Sequence, residues 1–221
     1  MLSPHRFALL LCVIAFPSGA PAQAQPAAAI GWYNGDWQSG IPGQPNWYFS
    51  ASQFSRVYDD FVVPEGGWTI VAVFSDNRMN FTGLTKASWE IRKNMAPGKE
   101  GKKVASGVSR ATQIPLPGQA PNAGNDWSGG YRIQVDNIRV RLAPGRYWLN
   151  VAPAVGKGLS YANATVGKNA VGDPPGNNGN ALVLKPALGV FFADAEQISP
   201  AGKYGKARDF SQGVIVDTSG K

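Results

Sequence analysis

The feature that most constrains this chain is how often turns interrupt it. Pro42-Gly43, Pro64-Glu65-Gly66-Gly67, Pro97-Gly98, Pro117-Gly118, Pro144-Gly145 and Pro175-Gly176 cut it at short intervals, and the segments between them are rich in Val, Ile, Phe, Tyr and Trp. Over 25–221 the turn residues leave few segments of a helix's length, and those segments are dominated by β-branched and aromatic residues, so little helix is expected. Short apolar segments between turn residues predict an all-β chain folded as an antiparallel, jelly-roll-like β-sandwich. No repeat or long linker divides it, which predicts a single domain over 25–221.

The clearest strand signal runs from Tyr131 to Leu142. Tyr131, Ile133 and Val135 share one parity, whereas Ile138, Val140 and Leu142 share the other. A change of phase around Asp136-Asn137 predicts a β-bulge, because one extra residue returns the apolar side to the core. Ala143-Pro144-Gly145 then predicts a hairpin into Arg146–Ala152, with Tyr147, Leu149 and Val151 inward. Trp148 and Asn150 would lie on the other side, with Arg139 and Arg141 across the hairpin. Further strands are expected at Val57–Val63, Trp68–Ser75, Ser88–Lys93, Lys103–Val108, Leu159–Thr165, Ala181–Leu184, Gly189–Phe192 and Phe210–Asp217. Trp68 to Phe74 is apolar at almost every position, as a strand covered on both faces would be.

The N-terminus carries a basic start at Arg6, an apolar run from Phe7 to Phe16, a break at Pro17-Ser18-Gly19 and Ala22-Gln23-Ala24. That order predicts a secretory signal peptide over 1–24. The apolar run is about half the roughly 20 residues a membrane-spanning helix requires. The only histidine, His5, and the only cysteine, Cys12, lie within the signal, so both leave on cleavage. The mature chain is thereby expected to lack a histidine-based triad, a disulfide and a zinc site, and no cofactor is expected. A secreted or periplasmic location follows.

Cleavage removes one charged residue, Arg6, and takes the formal net charge from +7 to +6. A basic exported chain suits polyanionic partners such as acidic polysaccharide. Its densest basic stretch is Arg92, Lys93, Lys99, Lys102 and Lys103, interrupted by Glu100. A second feature is aromatic. Trp32, Tyr33, Trp37, Trp47 and Tyr48 crowd together among Asn34, Asp36, Gln38, Gln44 and Asn46. Flat rings flanked by amides and carboxylates are what sugar binding uses, so these five are candidate glycan contacts.

The competing class is a carboxylate-based polysaccharide hydrolase or lyase, which needs two carboxyls facing each other across the scissile bond. Strand-borne candidates are Asp59, Asp60, Glu90, Asp136 and Asp209. Glu90 alternates with Trp89 and Ile91, so it faces away from their packing, beside Arg92. Asp59 and Asp60 are adjacent and should point to opposite faces. The Asp- and Asn-rich segments Ser75–Asn77, Asn122–Asp126 and Asp173–Asn180 contain oxygen ligands that calcium accepts, and equally the residues that turns require.

Four fragments together carry a likeness: Val57-Tyr58-Asp59-Asp60-Phe61-Val62-Val63, Trp89-Glu90-Ile91-Arg92, Leu142-Ala143-Pro144-Gly145-Arg146-Tyr147-Trp148-Leu149 and Asn177-Asn178-Gly179-Asn180. With them the chain resembles exported bacterial β-sandwich proteins of the kind that often carry a PEP-CTERM sorting tail. The resemblance implies a jelly-roll-like sandwich at the cell surface and no particular reaction. The final segment, DFSQGVIVDTSGK, departs from that pattern in having no Pro-Glu-Pro and no apolar span. Free secretion or periplasmic residence is the expectation that follows.

Overall fold

A computed structural model describes residues 27–38, 43–118, 129–156, 158–176, 178–195 and 209–219. The expected signal segment 1–24 and the Asp- and Asn-rich segment 122–126 lie outside the described residues. The strands are β1 Ala28–Tyr33, β2 Gln44–Pro45, β3 Trp47–Ser50, β4 Gln53–Val63, β5 Trp68–Met79, β6 Lys86–Lys93, β7 Lys102–Arg110 and β8 Thr112–Pro115. There follow β9 Gly129–Val135, β10 Val140–Leu142, β11 Gly145–Pro153, β12 Ser160–Ala162, β13 Ala164–Thr165, β14 Leu182–Lys185, β15 Val190–Asp194, β16 Asp209–Phe210 and β17 Gln212–Asp217.

Fifteen of these strands form two antiparallel sheets packed face to face, and β13 and β16 pair as a separate two-stranded sheet. The first runs β1-β17-β5-β12-β2, with β9 and β10 also pairing with β5, and β8 pairing with β9. The second runs β15-β14-β4-β11-β6-β7, with β3 also on β4. The chain crosses repeatedly between them: β4 lies in the second sheet, β5 in the first, β6 and β7 in the second, β8 to β10 in the first, β11 in the second. The all-β antiparallel sandwich predicted from the turn spacing is the observed fold.

Alternation explains which residues meet in the middle. Phe61, Val63, Ile91, Leu149 and Val151 from the second sheet pack against Ile70, Val73, Ile133, Val135 and Val214 from the first. Burying side chains of this size contributes about 1.5–3 kcal/mol each. The predicted inward sets, Tyr131/Ile133/Val135 and Tyr147/Leu149/Val151, all belong to this core. A polar patch also lies between the sheets. Asn46 Nδ2 donates to Asn77 Oδ1 at 3.0 Å and to the Val151 carbonyl at 2.8 Å, while Asn150 Nδ2 donates to Asn46 Oδ1 at 3.0 Å.

Two local expectations need correction. Ala143-Pro144-Gly145 is not a hairpin turn. β10 pairs with β5 in the first sheet, whereas β11 pairs with β4 and β6 in the second, so this segment carries the chain from one sheet to the other. Arg139 and Arg141 therefore do not sit across from Trp148. That ring is instead covered by a cluster containing Tyr58, Leu182, Leu184 and Phe192.

The phase change at Asp136-Asn137 is real but larger than one residue. Val135 pairs with Val73 and Val140 with Ile70, so four residues span two on β5, and Asn137 takes a left-handed φ of 58°. β5 slips as well: its register with β17 shifts between Ile215 and Val216. That shift lets both Val73 and Ile70 face the core despite their opposite parity.

Candidate functional site

Two concavities on the outer faces of the two sheets gather most of the chemistry. The second sheet's outer face is set by parity. Ala87, Trp89 and Ile91 of β6 point into the core, so Ser88, Glu90 and Arg92 point out. On β4, Val57 is buried inward-side and Phe54, Arg56 and Tyr58 alternate with their neighbours to face out. Arg92 and Lys103 are cross-strand partners on β6 and β7. The result is a groove of about 510 Å³ whose walls include Tyr48, Phe54, Arg56, Glu90, Arg92, Lys103, Phe191 and Phe192.

Glu90 forms the floor of the groove and is almost fully buried, at 3 % exposure. Arg56 Nη1 donates to its Oε1, and Lys103 Nζ lies 3.3 Å from the same oxygen. Arg92 Nε and the Tyr58 hydroxyl each donate to Oε2 at 2.8 Å. Burial by itself would raise this carboxyl's pKa. The charge of Arg56 and the hydrogen bonds from Arg92 and Tyr58 outweigh burial and hold it down at about 2. Burial, reinforced by Glu90, pushes the Tyr58 phenol well above its usual range, so Tyr58 stays a donor.

Three cations therefore converge on Glu90, and with Glu100 at 3.8 Å from Arg92 two carboxylates face three cations, leaving one positive charge in excess. The rings hold the guanidinium groups in place: Arg56 stands 4.6 Å from the Phe54 ring centre, and Arg92 stands 5.6 Å from that of Phe192. Phe191 is 59 % exposed at the groove wall, and Lys103 has half its side chain in solvent.

The first sheet carries the other concavity, of about 640 Å³, lined by Tyr33, Asp36, Trp37, Asp76, Arg132 and Gln134 and by the 114–118 segment. Asp76 and Arg132 are cross-strand partners, joined by Arg132 Nε to Oδ1 at 2.8 Å and Nη2 to Oδ2 at 3.0 Å. The Tyr33 hydroxyl lies 3.1 Å from Asp36 Oδ1 and 3.2 Å from Asp76 Oδ2.

A third polar cluster is closed rather than concave. Asp59 accepts from Asn34 Nδ2 at 2.8 Å and from the Phe210 amide at 2.6 Å. Asp209 accepts from the Asn178 and Gly179 amides, and Asn178 Nδ2 donates to Asp60 Oδ1 at 3.1 Å. Burial raises Asp59 well above the usual carboxylate range, and Asp209 adds to this. Asp209 itself rises to about 6 through burial, opposed by its backbone donors. Among the described residues no group of three or more His, Cys, Asp or Glu is arranged to hold a metal ion.

The predicted site residues are thus dispersed. Trp32 is fully buried, stacked on Phe61 at 5.5 Å between ring centres, and offers no face to a ligand. Tyr33 and Trp37 line the first-sheet concavity, and Tyr48 lines the groove. Trp47 is half-buried, packed against the core and tilted on Phe49 at 4.6 Å. Of their polar neighbours, Asn34, Gln44 and Asn46 are buried in internal hydrogen bonds, Gln44 with Lys185 Nζ at 2.7 Å.

Among the basic residues, Arg92 and Lys103 enter the groove. Lys93 and Lys102 form the next rung of the ladder and project from the opposite face. Lys99 is exposed in the turn between β6 and β7.

Arg56 was not anticipated. Beginning the strand at Val57 leaves it outside, whereas the run Phe54, Arg56, Tyr58 would have placed it on Glu90's face. Its pairing with Glu90, 34 residues away, has no local signal. Comparisons with protein-family models, with curated proteins and with solved structures each find no match to this chain.

Proposed function

We propose that the protein is an exported, non-catalytic β-sandwich module that binds anionic polysaccharide through the groove on its second sheet. The observation that carries this reading is the convergence of Arg56, Arg92 and Lys103 on a single buried carboxylate between aromatic walls. The surplus positive charge selects an anion, and the rings offer apolar faces to the pyranose C–H groups. The likeness to exported surface sandwiches supports a location outside the cytoplasm.

Glu90 also bears on the competing hydrolase reading. A glycosidase needs a carboxyl that still carries a proton near its working pH. Glu90, held at about 2, has none to give. Its nearest acidic companion in the groove, Glu100, is largely exposed and lies 3.8 Å from Arg92.

The test is retention of the mature protein on immobilised alginate and heparin. Affinity should fall at least about tenfold between roughly 0.05 and 0.5 M salt, because exposed charge interactions are screened. Lys103→Ala should weaken retention, and Lys102→Ala, on the other face, should weaken it less. Equal losses in the two variants would point to diffuse surface charge and against the groove. Release of unsaturated or reducing ends would favour the enzyme.

A further inference from the structure

The first-sheet concavity has a chemistry unlike that of the groove. It holds two carboxylates, Asp36 and Asp76, against one guanidinium, Arg132, so its charge disfavours an anionic chain. Asp76 is saturated: Arg132 donates to both its oxygens and the Ser211 hydroxyl donates to Oδ2 at 2.8 Å. Arg132 is clamped by that pair and lies 4.0 Å above the Phe74 ring. About a quarter of its side chain is exposed to the concavity. Asp36 is half-buried and, among the described residues, accepts from Tyr33 and, at 2.7 Å, from Asn169 Nδ2. Trp37, also half-buried, supplies an indole beside them.

A cation would gain nothing from Arg132, and an anion would be repelled by the aspartates. A sugar residue has hydroxyls that both donate and accept, together with an apolar ring face. It uses all three elements at once: acceptor, donor and aromatic platform. The volume of about 640 Å³ lies within the range of ligand pockets.

We infer that the pocket formed by Tyr33, Asp36, Trp37, Asp76 and Arg132 is a second binding site, for an uncharged saccharide residue. Trp37 is the platform, Asp36 the acceptor and Arg132 the donor. The site is independent of the groove and lies on the outer face of the other sheet. A molecule with both would tie an anionic chain to a neutral one.

The experiment titrates the mature protein with neutral hexasaccharides (β-1,4-glucan, β-1,3-glucan, mannan, xylan and galactan), following the indole N–H resonances by NMR. Trp37→Phe assigns the Trp37 signal. One or more of these oligosaccharides should shift that resonance, with an affinity unchanged between roughly 0.05 and 0.5 M salt. Trp37→Ala should weaken binding about tenfold, the order expected for a lost stacking contact. Lys103→Ala should leave it intact. If Trp37→Ala does not fold, the titration of the unmutated protein decides alone. The inference is overturned if no oligosaccharide moves the Trp37 resonance at millimolar concentration, if Trp37→Ala leaves the affinity unchanged, or if Lys103→Ala abolishes binding. Loss in Lys103→Ala would assign neutral sugars to the groove, leaving the groove reading to its own polyanion test.

Discussion

Single residues divide into those that hold the sandwich together and those that hold a charge in reserve. Trp32 belongs to the first group. Trp32→Ala should cost about 3–5 kcal/mol, as large aromatic truncations in a packed core do, whereas Lys103→Ala should change stability by no more than about 0.5 kcal/mol. Urea titrations of the two variants check this, and similar midpoints would contradict the assignment of Trp32 to the core. Glu90 does both jobs. Glu90→Gln leaves two buried guanidinium groups undercompensated and should cost about 3–5 kcal/mol. A conservative change with a near-zero cost would mean that the Arg56 and Arg92 contacts are not maintained in solution.

Residue chemistry was only partly legible in the sequence. Glu90's outward direction followed from its neighbours Trp89 and Ile91. The burial of Trp32 did not, because one aromatic in a dense cluster carries no mark of which strand face it occupies. The amides near it, read as possible sugar contacts, are consumed by pairings with residues far along the chain, such as Asn34 with Asp59.

At the scale of strands, the parity pattern was the dependable signal and the connections were not. Alternation placed the inward sets of β9 and β11 correctly. It could not tell a hairpin from a crossover at Ala143-Pro144-Gly145, because both need a tight turn and only long-range pairing separates them. Nor could it show that β5 slips in concert with β9 and β10.

The pairing of β17 with β5 supplies a test of how tightly these strands fit. A Cβ at Gly213 would run into the Phe74 ring and come within 2.7 Å of the Trp32 carbonyl oxygen. Gly213→Ala should therefore destabilise the protein by about 1–3 kcal/mol, as overpacking does. Gly83→Ala, where a Cβ meets nothing but φ is +79°, should cost about 1–2 kcal/mol from backbone strain alone. Comparing the thermal melts of the two variants checks the contact. A loss at Gly213 of under about 0.5 kcal/mol would show that Phe74 is not seated as described.

For the molecule as a whole, two buried carboxylate clusters oppose each other in their response to pH. Glu90 is held at about 2 against an ordinary value of 4.5, so it stabilises the fold above about pH 4.5 and loses that contribution as pH falls through 2. Asp209 is raised from 3.8 to about 6, and Asp59 moves the same way. Their cost is absent at low pH and grows as pH rises through about 6. Stability should therefore be greater near pH 4.5 than at about pH 7.5, and should decline again in stronger acid. Calorimetry across that range tests it; a melting temperature that climbs steadily from 4.5 to 7.5 would contradict the buried state of Asp59 and Asp209.

The central claim concerns the groove, and its most direct measurement is residue-resolved. Residues 25–221, isotopically labelled, are titrated with an alginate oligosaccharide at low salt while the amide and side-chain resonances are followed. The account predicts the largest shifts at Arg56, Glu90, Arg92 and Lys103 on β4, β6 and β7, fading as salt is added. Saturating shifts confined to other surfaces, or none at millimolar ligand, would contradict it.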